Sequence, residues 1–259
     1  MECGRKMIKK EKYLPFLVEK FRIPSYLADF KSQLRLDSLF MLLQEMSNKH
    51  ASLLGVGWHN LQKNGFFWVI TKMSLKIVRM PLWTENITLK TWVRISDTAT
   101  SPREFEISDE QGNIIIAGSS VWAILDTKSN RPQRISNFDS NFLQQEYEAD
   151  CDKPRKVKQI QLPETPEFLK KIELADIDMN MHVNNTHYIL WAINTIPKNF
   201  YMTHSIKEIM VNFISQARFG EYYSVHTEEI SDTEFISTIY SDQEKKEFCR
   251  IHSKWVKEV

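Results

Sequence analysis

The sequence predicts an α+β fold made of two tandem units, each a long helix wrapped by a curled antiparallel sheet. Three observations carry this prediction: apolar residues alternate with the period of strands, a helical pattern precedes each group of strands, and the pattern recurs half-way along the chain. The chain has 259 residues, of which 42% are hydrophobic. That length and composition suit one large core or two smaller ones and exclude an intrinsically disordered chain.

A helix is predicted ahead of the first strands. Asp37 is a suitable N-cap, and the residues that follow it form an apolar face at helical spacing. That face carries Phe40, Leu43 and Met46. Gly55 and Gly57 are suited to ending the helix, because glycine readily adopts the left-handed conformation found at helix C-termini.

Antiparallel strands are predicted after this helix. Apolar and polar residues alternate over 72–77 and again over 87–94, as in half-buried strands, with a turn at 81–84 between them. A third strand near 105–107 leads into a nearly continuous apolar run over 113–125, which indicates a central strand covered on both faces. The first half is therefore predicted to form a meander.

A long polar stretch separates the two halves. Residues 128–165 lose the strand pattern, contain several prolines and exceed the usual length of a loop within a domain. We therefore expect an N-terminal unit over residues 1–135, a linker over 136–165 and a C-terminal unit over 166–259.

The second half repeats the first. At an offset of 136 residues (221 minus 85), Glu85 meets Glu221 and Ile87 meets Tyr223. The final strands match at an offset of 133 (253 minus 120), where Ser120-Val121-Trp122 meets Ser253-Lys254-Trp255. A duplicated helix and meander bury each helix in the concave face of its own sheet. This arrangement is the hot-dog fold.

The composition argues against several classes of function. The 34 Lys and Arg residues oppose 33 Asp and Glu, so the net charge of +1 gives no general basic field for nucleic acid or an anionic membrane. None of the seven glycines forms a phosphate-binding motif, which argues against nucleotide chemistry.

Three widely spaced cysteines fit a reducing compartment. No apolar run could span a bilayer and no secretory signal is present, so we expect a soluble cytoplasmic protein.

One polar cluster stands immediately before a predicted helix over 186–196. Residues 176–185 contain two Asp, three Asn and one His. Asp178, Asn180 and His182 alternate along the chain, so an extended segment would point all three to one side. Acyl transfer or hydrolysis needs a group that binds a carbonyl, one that moves a proton and one that orients it, and Asn, His and Asp suit those roles. The N–H groups of the following helix could stabilise an oxyanion.

A purely structural role is the alternative interpretation of this cluster. Asn184 or Asn185 would then be an N-cap, Asp178 a turn residue and His182 a satisfied polar contact. No metal-ligand spacing accompanies the cluster, so neither a metal nor a cofactor is expected.

The first half lacks the cluster at the position that the repeat indicates. At the offset of 136, the positions of Asp178, Asn180 and His182 fall on Leu42, Gln44 and Met46. We therefore expect the C-terminal unit to carry the chemistry and the N-terminal unit to form a binding wall.

The cluster resembles the D-x-D-x-N-x-H-V-N-N-x-x-Y signature of the fatty acyl-ACP thioesterases of plant plastids and bacteria, and here it runs from Asp176 to Tyr188. Four more strings resemble the family's first-half strands in the same order: Trp68-Val69-Ile70-Thr71-Lys72-Met73, Pro81-Leu82-Trp83, Thr91-Trp92-Val93 and Ser119-Ser120-Val121-Trp122. The resemblance implies a double hot-dog enzyme that hydrolyses the thioester of acyl-acyl-carrier-protein (acyl-ACP) and releases a free fatty acid. It also implies a catalytic set of Asp178, Asn180 and His182, with an acidic residue from a strand of the same half.

The chain departs from the family pattern at that acidic residue. Gln216 stands where the family has Glu, and Ala217 follows where some members have Cys. A neutral amide cannot accept a proton, although its carbonyl oxygen can orient a water, and a covalent cysteine mechanism is disfavoured. Either His182, tuned by Asp178, takes the proton from water, or Asp178 takes it directly. We prefer His182, because its ordinary pKa of roughly 6.5 lies near the operating pH.

An acyl chain needs a long apolar slot, and an acidic carrier protein needs basic groups on the enzyme. The first-half candidates for the slot are Leu39, Phe40, Leu43, Met46, Trp68, Ile70 and Met73. The candidates for docking acyl carrier protein are the basic clusters within 6–12, 153–158 and 170–171.

Three other functions stay open as alternatives. They are an acyl-CoA thioesterase of the same fold, a β-hydroxyacyl dehydratase, and an acyl-binding protein impaired by Gln216. A dehydratase would be expected to pair a His with an acidic residue from opposite halves, and the first half shows no such match. Because two fused units already satisfy the pairing that single units reach by dimerising, both a monomer and a homodimer are compatible with the sequence.

Overall fold

The computed structural model describes residues 15–95, 99–138, 145–166 and 168–258. The first half contains two helices and six strands: β1 (Leu17–Arg22), α1 (Leu36–Leu53), α2 (Trp58–Lys63), β2 (Phe66–Ile77), β3 (Asn86–Val93), β4 (Thr100–Ser108), β5 (Ile114–Asp126) and β6 (Pro132–Gln133). The second half contains β7 (Lys170–Lys171), α3 (Asn185–Ile193), α4 (Lys198–Thr203), β8 (His204–Phe213), β9 (Tyr222–Ser231), β10 (Glu234–Ser241) and β11 (Lys246–Lys257). The predicted α+β fold is confirmed.

The strands of both halves form one antiparallel sheet. Its order is β1-β3-β4-β5-β2-β8-β11-β10-β9-β7, with β6 paired to β5. The halves join where β2 pairs with β8 in a register that sets Met73 opposite Val211 and Leu75 opposite Ile209. The two units therefore share a sheet instead of standing apart as separate domains, and α1 contacts α3 across the join.

Helix α1 packs its apolar face into the main core. Leu43 and Met46, predicted for that face, are almost completely buried. The prediction for the N-cap was wrong: Arg35 occupies that position, and Asp37 lies in the first turn, where its carboxylate accepts hydrogen bonds from the Arg35 guanidinium at 3.1 and 3.2 Å. An acidic side chain in the first turn still favours the helix, because it lies at the positive end of the dipole.

The two glycines after α1 have different roles. Gly55 follows the helix with a φ of +80°, the left-handed conformation expected there. Gly57 instead forms the N-cap of α2, where a Cβ would lie 2.4 Å from the Ser52 Oγ, so the chain can turn this tightly only without a side chain. This turn determines where α2 approaches the second half.

The predicted linker packs along the sheet. Tyr147 stacks on Trp92 with ring centroids 5.1 Å apart, and the Trp92 indole donates to the Tyr147 carbonyl oxygen at 2.8 Å. Further along, the Val157 N–H donates to Asn212 Oδ1 at 2.7 Å, and the side chains of Val157 and Ile160 are buried. These contacts attach the connection to strands of both halves.

The strands repeat at the offsets read from the sequence. The Trp122 and Trp255 indoles each donate to a serine two residues earlier, Ser120 at 2.8 Å and Ser253 at 3.0 Å, as the offset of 133 requires. At the offset of 136, Val78 and Ile214 occupy equivalent places at the ends of their strands, and their N–H groups donate to Ile115 and Phe248.

The segments before the helices repeat at a different offset. The Ile23 N–H donates to the Glu85 carbonyl oxygen and the Ile172 N–H to that of Glu221, each at 2.9 Å, which aligns these segments at 149 residues (172 minus 23). The offset changes because α1 has 18 residues and α3 has 9. The predicted alignment of the cluster with Leu42, Gln44 and Met46 was therefore wrong. The structural counterparts of Asp178, Asn180 and His182 are Asp29, Lys31 and Gln33.

Candidate active site

A cavity of about 1480 Å³ lies at the junction of the two halves. Its walls come from the C-terminal part of α1, from α2, β2 and β5, and from two segments of the second half, 178–185 and 213–218. All four residues predicted from the sequence line it: Asp178, Asn180, His182 and Gln216.

Asp178 shapes the loop that carries the other two polar side chains. Its Oδ1 accepts the backbone N–H of Asn180 at 2.8 Å and that of His182 at 3.3 Å, and its own N–H donates to the His182 carbonyl oxygen at 2.8 Å. Met181 adopts a left-handed φ of +62°. The carboxylate of Asp178 thus organises this loop, which we call the motif loop (residues 178–182).

The motif loop is fixed to its surroundings at both ends. The Val183 N–H donates to the Ala217 carbonyl oxygen at 2.9 Å, which ties the loop to the segment that carries Gln216. Asp176 accepts from His187 Nδ1 at 2.8 Å. Asn184 is the N-cap of α3, because its side chain accepts the Thr186 N–H at 3.1 Å. The structural interpretation of the cluster therefore holds for Asn184.

His182 is half-buried, and its ring stacks on Phe67 of β2 with centroids 6.2 Å apart. Burial lowers the pKa of His182 from its ordinary value of 6.5. The cations Arg218 and Lys246 act in the same direction, while the carboxylates of Asp178 and Glu221 oppose them. The imidazole is therefore neutral at pH 7 and able to accept a proton.

Asn180 is held by the other half of the molecule. Its Oδ1 accepts the Trp58 indole N–H at 2.8 Å and the Gln62 Nε2 at 3.4 Å, and both donors belong to α2. No described residue accepts from the Asn180 amide nitrogen, which is therefore left for another acceptor.

Gln216 lies on the cavity wall beside the motif loop. Its backbone oxygen accepts from Lys246 Nζ at 2.8 Å, and the next N–H, that of Ala217, donates to the Tyr188 hydroxyl at 3.3 Å. Burial raises the pKa of that hydroxyl, so Tyr188 is a neutral phenol. These contacts fix the backbone of Gln216 on the cavity wall.

Of the residues predicted for the apolar slot, Trp68 and Ile70 line the main cavity. Phe40, Leu43 and Met73 line a separate space of only about 10 Å³ between α1 and the sheet. Leu39 and Met46 are fully buried core residues away from both spaces. Trp122, from β5, lines both the cavity and this small space.

The predicted docking clusters that the structure describes, within 153–158 and 170–171, do not line the cavity. Residues 6–12 lie outside the described part of the chain. Lys153 and Arg155 form ion pairs with Glu148 and Asp152. The cations on the cavity wall include Arg218 and Lys246.

Sequence reasoning missed the residues that reach the site from the first half. Trp58, Gln62 and Phe67 lie more than a hundred residues before the motif loop. The one available signal was the pair Gly55 and Gly57, which indicates a sharp turn but not the partner across it.

Comparison with known proteins identifies the family. The profile of the acyl-ACP thioesterase N-terminal domain matches residues 16–142, and that of the C-terminal domain matches residues 146–257. The chain belongs to the acyl-ACP thioesterase family. The similarity found in the sequence motifs is therefore confirmed, and it extends over both hot-dog units.

Plant acyl-ACP thioesterases are similar in sequence. The chain is 27% identical over 216 residues to an oleoyl-acyl carrier protein thioesterase of Coriandrum sativum, covering 75% of this chain and 58% of the coriander protein. It is 25% identical over 242 residues to oleoyl-acyl carrier protein thioesterase 2 of Arabidopsis thaliana, covering 85% of this chain and 65% of that protein. The chain thus spans about three fifths of the length of these plant relatives.

Two solved structures of acyl-ACP thioesterases share the fold. One, from Bacteroides thetaiotaomicron, has a TM-score of 0.85 at 24% identity and covers 93% of this chain and 98% of its own. The 12:0-ACP thioesterase from Umbellularia californica has a TM-score of 0.79 at 18% identity and covers 96% and 100%. In the part of the chain that the structure describes, no helix is long and apolar enough to cross a membrane.

Proposed function

We propose that this chain hydrolyses the thioester of fatty acyl-ACP to a free fatty acid and holo-ACP, which ends chain elongation. The observation that carries the proposal is the cavity at the junction of the halves. Its lining combines a neutral, half-buried His182, Asn180 and Gln216 with apolar side chains of the first half such as Trp68 and Ile70. An acyl chain and its thioester need such a combination of apolar and polar groups.

In the proposed reaction, water attacks the thioester carbonyl carbon and the carbon–sulfur bond breaks. His182 takes a proton from the water and returns it to the leaving sulfur. Asn180 and the N-terminus of α3 stabilise the oxyanion that forms on the carbonyl oxygen. Gln216, which cannot accept a proton, orients the attacking water through its side-chain oxygen.

We assign the base to His182 and not to Asp178. One oxygen of the Asp178 carboxylate already accepts two backbone N–H groups, so its geometry suits holding the motif loop. Its negative charge raises the pKa of His182 against the effect of burial and stabilises the imidazolium that forms in the reaction.

We also assign separate tasks to the two units, acyl-chain binding to the first and catalysis to the second. The acyl carrier protein is the proposed partner, and the exposed Arg218 with Lys246 offers it positive charge at the cavity. We place the reaction in a bacterial cytoplasm, where the free thiols of Cys151 and Cys249 would stay reduced. Since β2 and β8 already join two units, either a monomer or a homodimer of this chain would be complete.

The test is an assay of thiol release by the purified chain from acyl-ACP and acyl-CoA donors of several chain lengths. We expect release from acyl-ACP in preference to acyl-CoA, and a loss of about 10²–10⁴-fold in kcat for His182→Gln, which keeps a polar side chain but removes the base. Thiol release from neither donor would reject hydrolysis in favour of an acyl-binding protein. Equal kcat/KM for both donors would reject specificity for the carrier protein.

A further inference from the structure

Trp58, from the first half, forms a direct hydrogen bond with the motif loop of the second half. It begins α2, directly after the Gly57 turn, and its indole N–H lies 2.8 Å from Asn180 Oδ1. Gln62, one helical turn later, places its Nε2 3.4 Å from the same oxygen. Both groups reach one atom of a candidate catalytic side chain from a helix outside its own unit.

The chemistry of the indole determines which way the Asn180 amide faces. An indole N–H can only donate, so the atom it meets must be the amide oxygen and not the amide nitrogen. A second donor, Gln62, meets the same atom and supports the same orientation. The Asn180 NH₂ group must then point away from α2, and among the described residues no acceptor is bound to it.

Without these donors the amide would not be fixed. The terminal torsion of Asn is broad and nearly two-fold, so a free Asn180 would populate orientations that present oxygen to the substrate carbonyl. Two oxygens would then face each other and repel. Only the orientation that Trp58 enforces offers N–H donors to a developing oxyanion.

We propose that Trp58, assisted by Gln62, is a positioning residue for thioester hydrolysis, because it locks the Asn180 amide with its N–H donors towards the substrate carbonyl. This inference rests on the proposed function. It also makes catalysis dependent on the first half, which would fix the donor as well as bind the acyl chain.

The kinetic test is a double-mutant cycle between Trp58→Phe and Asn180→Ala. Trp58→Phe keeps an aromatic ring and removes the N–H. We expect kcat on acyl-ACP to fall about tenfold, with KM changed less than about twofold, because the donor is misoriented while the slot is intact. In the Asn180→Ala background the same substitution should change nothing, since Trp58 acts only through the amide. The control is Trp255→Phe, which removes a similar indole bond, to Ser253 at 3.0 Å, away from the cavity.

Three kinetic results would overturn the proposal. One is an unchanged kcat in Trp58→Phe. Another is an equal loss with and without Asn180, which would show that Trp58 acts as a wall of the cavity. The third is a loss of kcat in Trp255→Phe as large as that in Trp58→Phe, because any lost indole bond would then have the same effect.

A second measurement does not depend on activity and separates this inference from the proposed function. In a ¹⁵N-labelled protein, Asn180→Ala should shift the indole N–H resonance of Trp58 and speed its exchange with water, because that N–H loses its acceptor. Absence of thiol release by the wild type would reject hydrolysis while this signal still reported the bond. An indole resonance that Asn180→Ala leaves unchanged would reject the positioning role even in an active hydrolase.

Discussion

The motif loop has a counterpart in the first half, residues 29–33, with the same backbone hydrogen bonds. Asp29 Oδ1 accepts the N–H groups of Lys31 at 2.8 Å and Gln33 at 3.0 Å, as Asp178 does for Asn180 and His182. The first N–H of each loop donates to the last carbonyl oxygen, and the fourth residue of each is left-handed. A single aspartate therefore builds the same loop twice.

The side chains on these loops meet different surroundings. Each loop faces a short helix of the opposite half, α2 for the motif loop and α4 for its counterpart. Asn180 accepts bonds from α2 while lining the cavity. Lys31 instead donates to the carbonyl oxygens of Tyr201 and His204 and to the carboxylate of Glu258. The two loops share one backbone scaffold and differ in the side chains at two positions: Lys31 and Gln33 in the first half, and Asn180 and His182, to which we assign catalysis, in the second.

Removing the aspartate of each loop should give the largest difference between the two loops. Asp178→Ala and Asp29→Ala each remove two bonds to backbone N–H groups, so each should lower the free energy of unfolding by about 1–3 kcal/mol. Only Asp178→Ala should also lower kcat/KM, by about 10–100-fold, because only its loop holds Asn180 and His182 in place. Urea denaturation and thiol-release kinetics on the two variants give the comparison. A similar activity loss in Asp29→Ala would mean that the two loops are not functionally distinct.

Substitutions of Gln216, beside the motif loop, test the proposed active site at a second position. Its counterpart at the offset of 136 is Met80. Gln216→Met should lower kcat about tenfold by removing the oxygen that orients the water. On the acidic side of the pH profile, kcat/KM of the wild type should reach half its maximum at a pH below 6.5. Burial lowers the pKa of His182, and the protonated imidazole is inactive.

Gln216→Glu should move this midpoint of the pH profile to higher pH. A carboxylate in the same cavity favours the imidazolium and raises its pKa, so a higher pH is needed to obtain the neutral base. The pH dependence of kcat/KM for wild type, Gln216→Met and Gln216→Glu measures both effects. Full turnover in Gln216→Met would remove Gln216 from the mechanism, and an unmoved midpoint in Gln216→Glu would contradict His182 as the base.

The same two loops show what a sequence can and cannot predict. Alternation and helical spacing depend on neighbours along the chain, so the strands, α1 and the polar cluster were predictable. The equivalence of Asp178 with Asp29 was missed, because one offset cannot describe units whose helices differ in length. The contribution of Trp58 to the site was also beyond prediction, since it depends on the pairing of β2 with β8 and on the turn at Gly57, neither of which leaves a local pattern for its distant partner.

The smallest expected effect concerns the counterpart loop of the first half. The Lys31 side chain is only 13% exposed and holds groups at the end of α4, so Lys31→Met, of similar length, should lower the free energy of unfolding by about 1 kcal/mol. The kcat/KM for acyl-ACP should stay at the wild-type value, because no atom of that loop lines the main cavity. Lys245→Met is the control, since its side chain is 78% exposed and its pair with Asp242 should contribute almost nothing. Equal stability of the two variants would show that Lys31 does not fasten α4, whereas a change in kcat/KM with stability intact would show that the counterpart loop acts on the active site through the shared sheet.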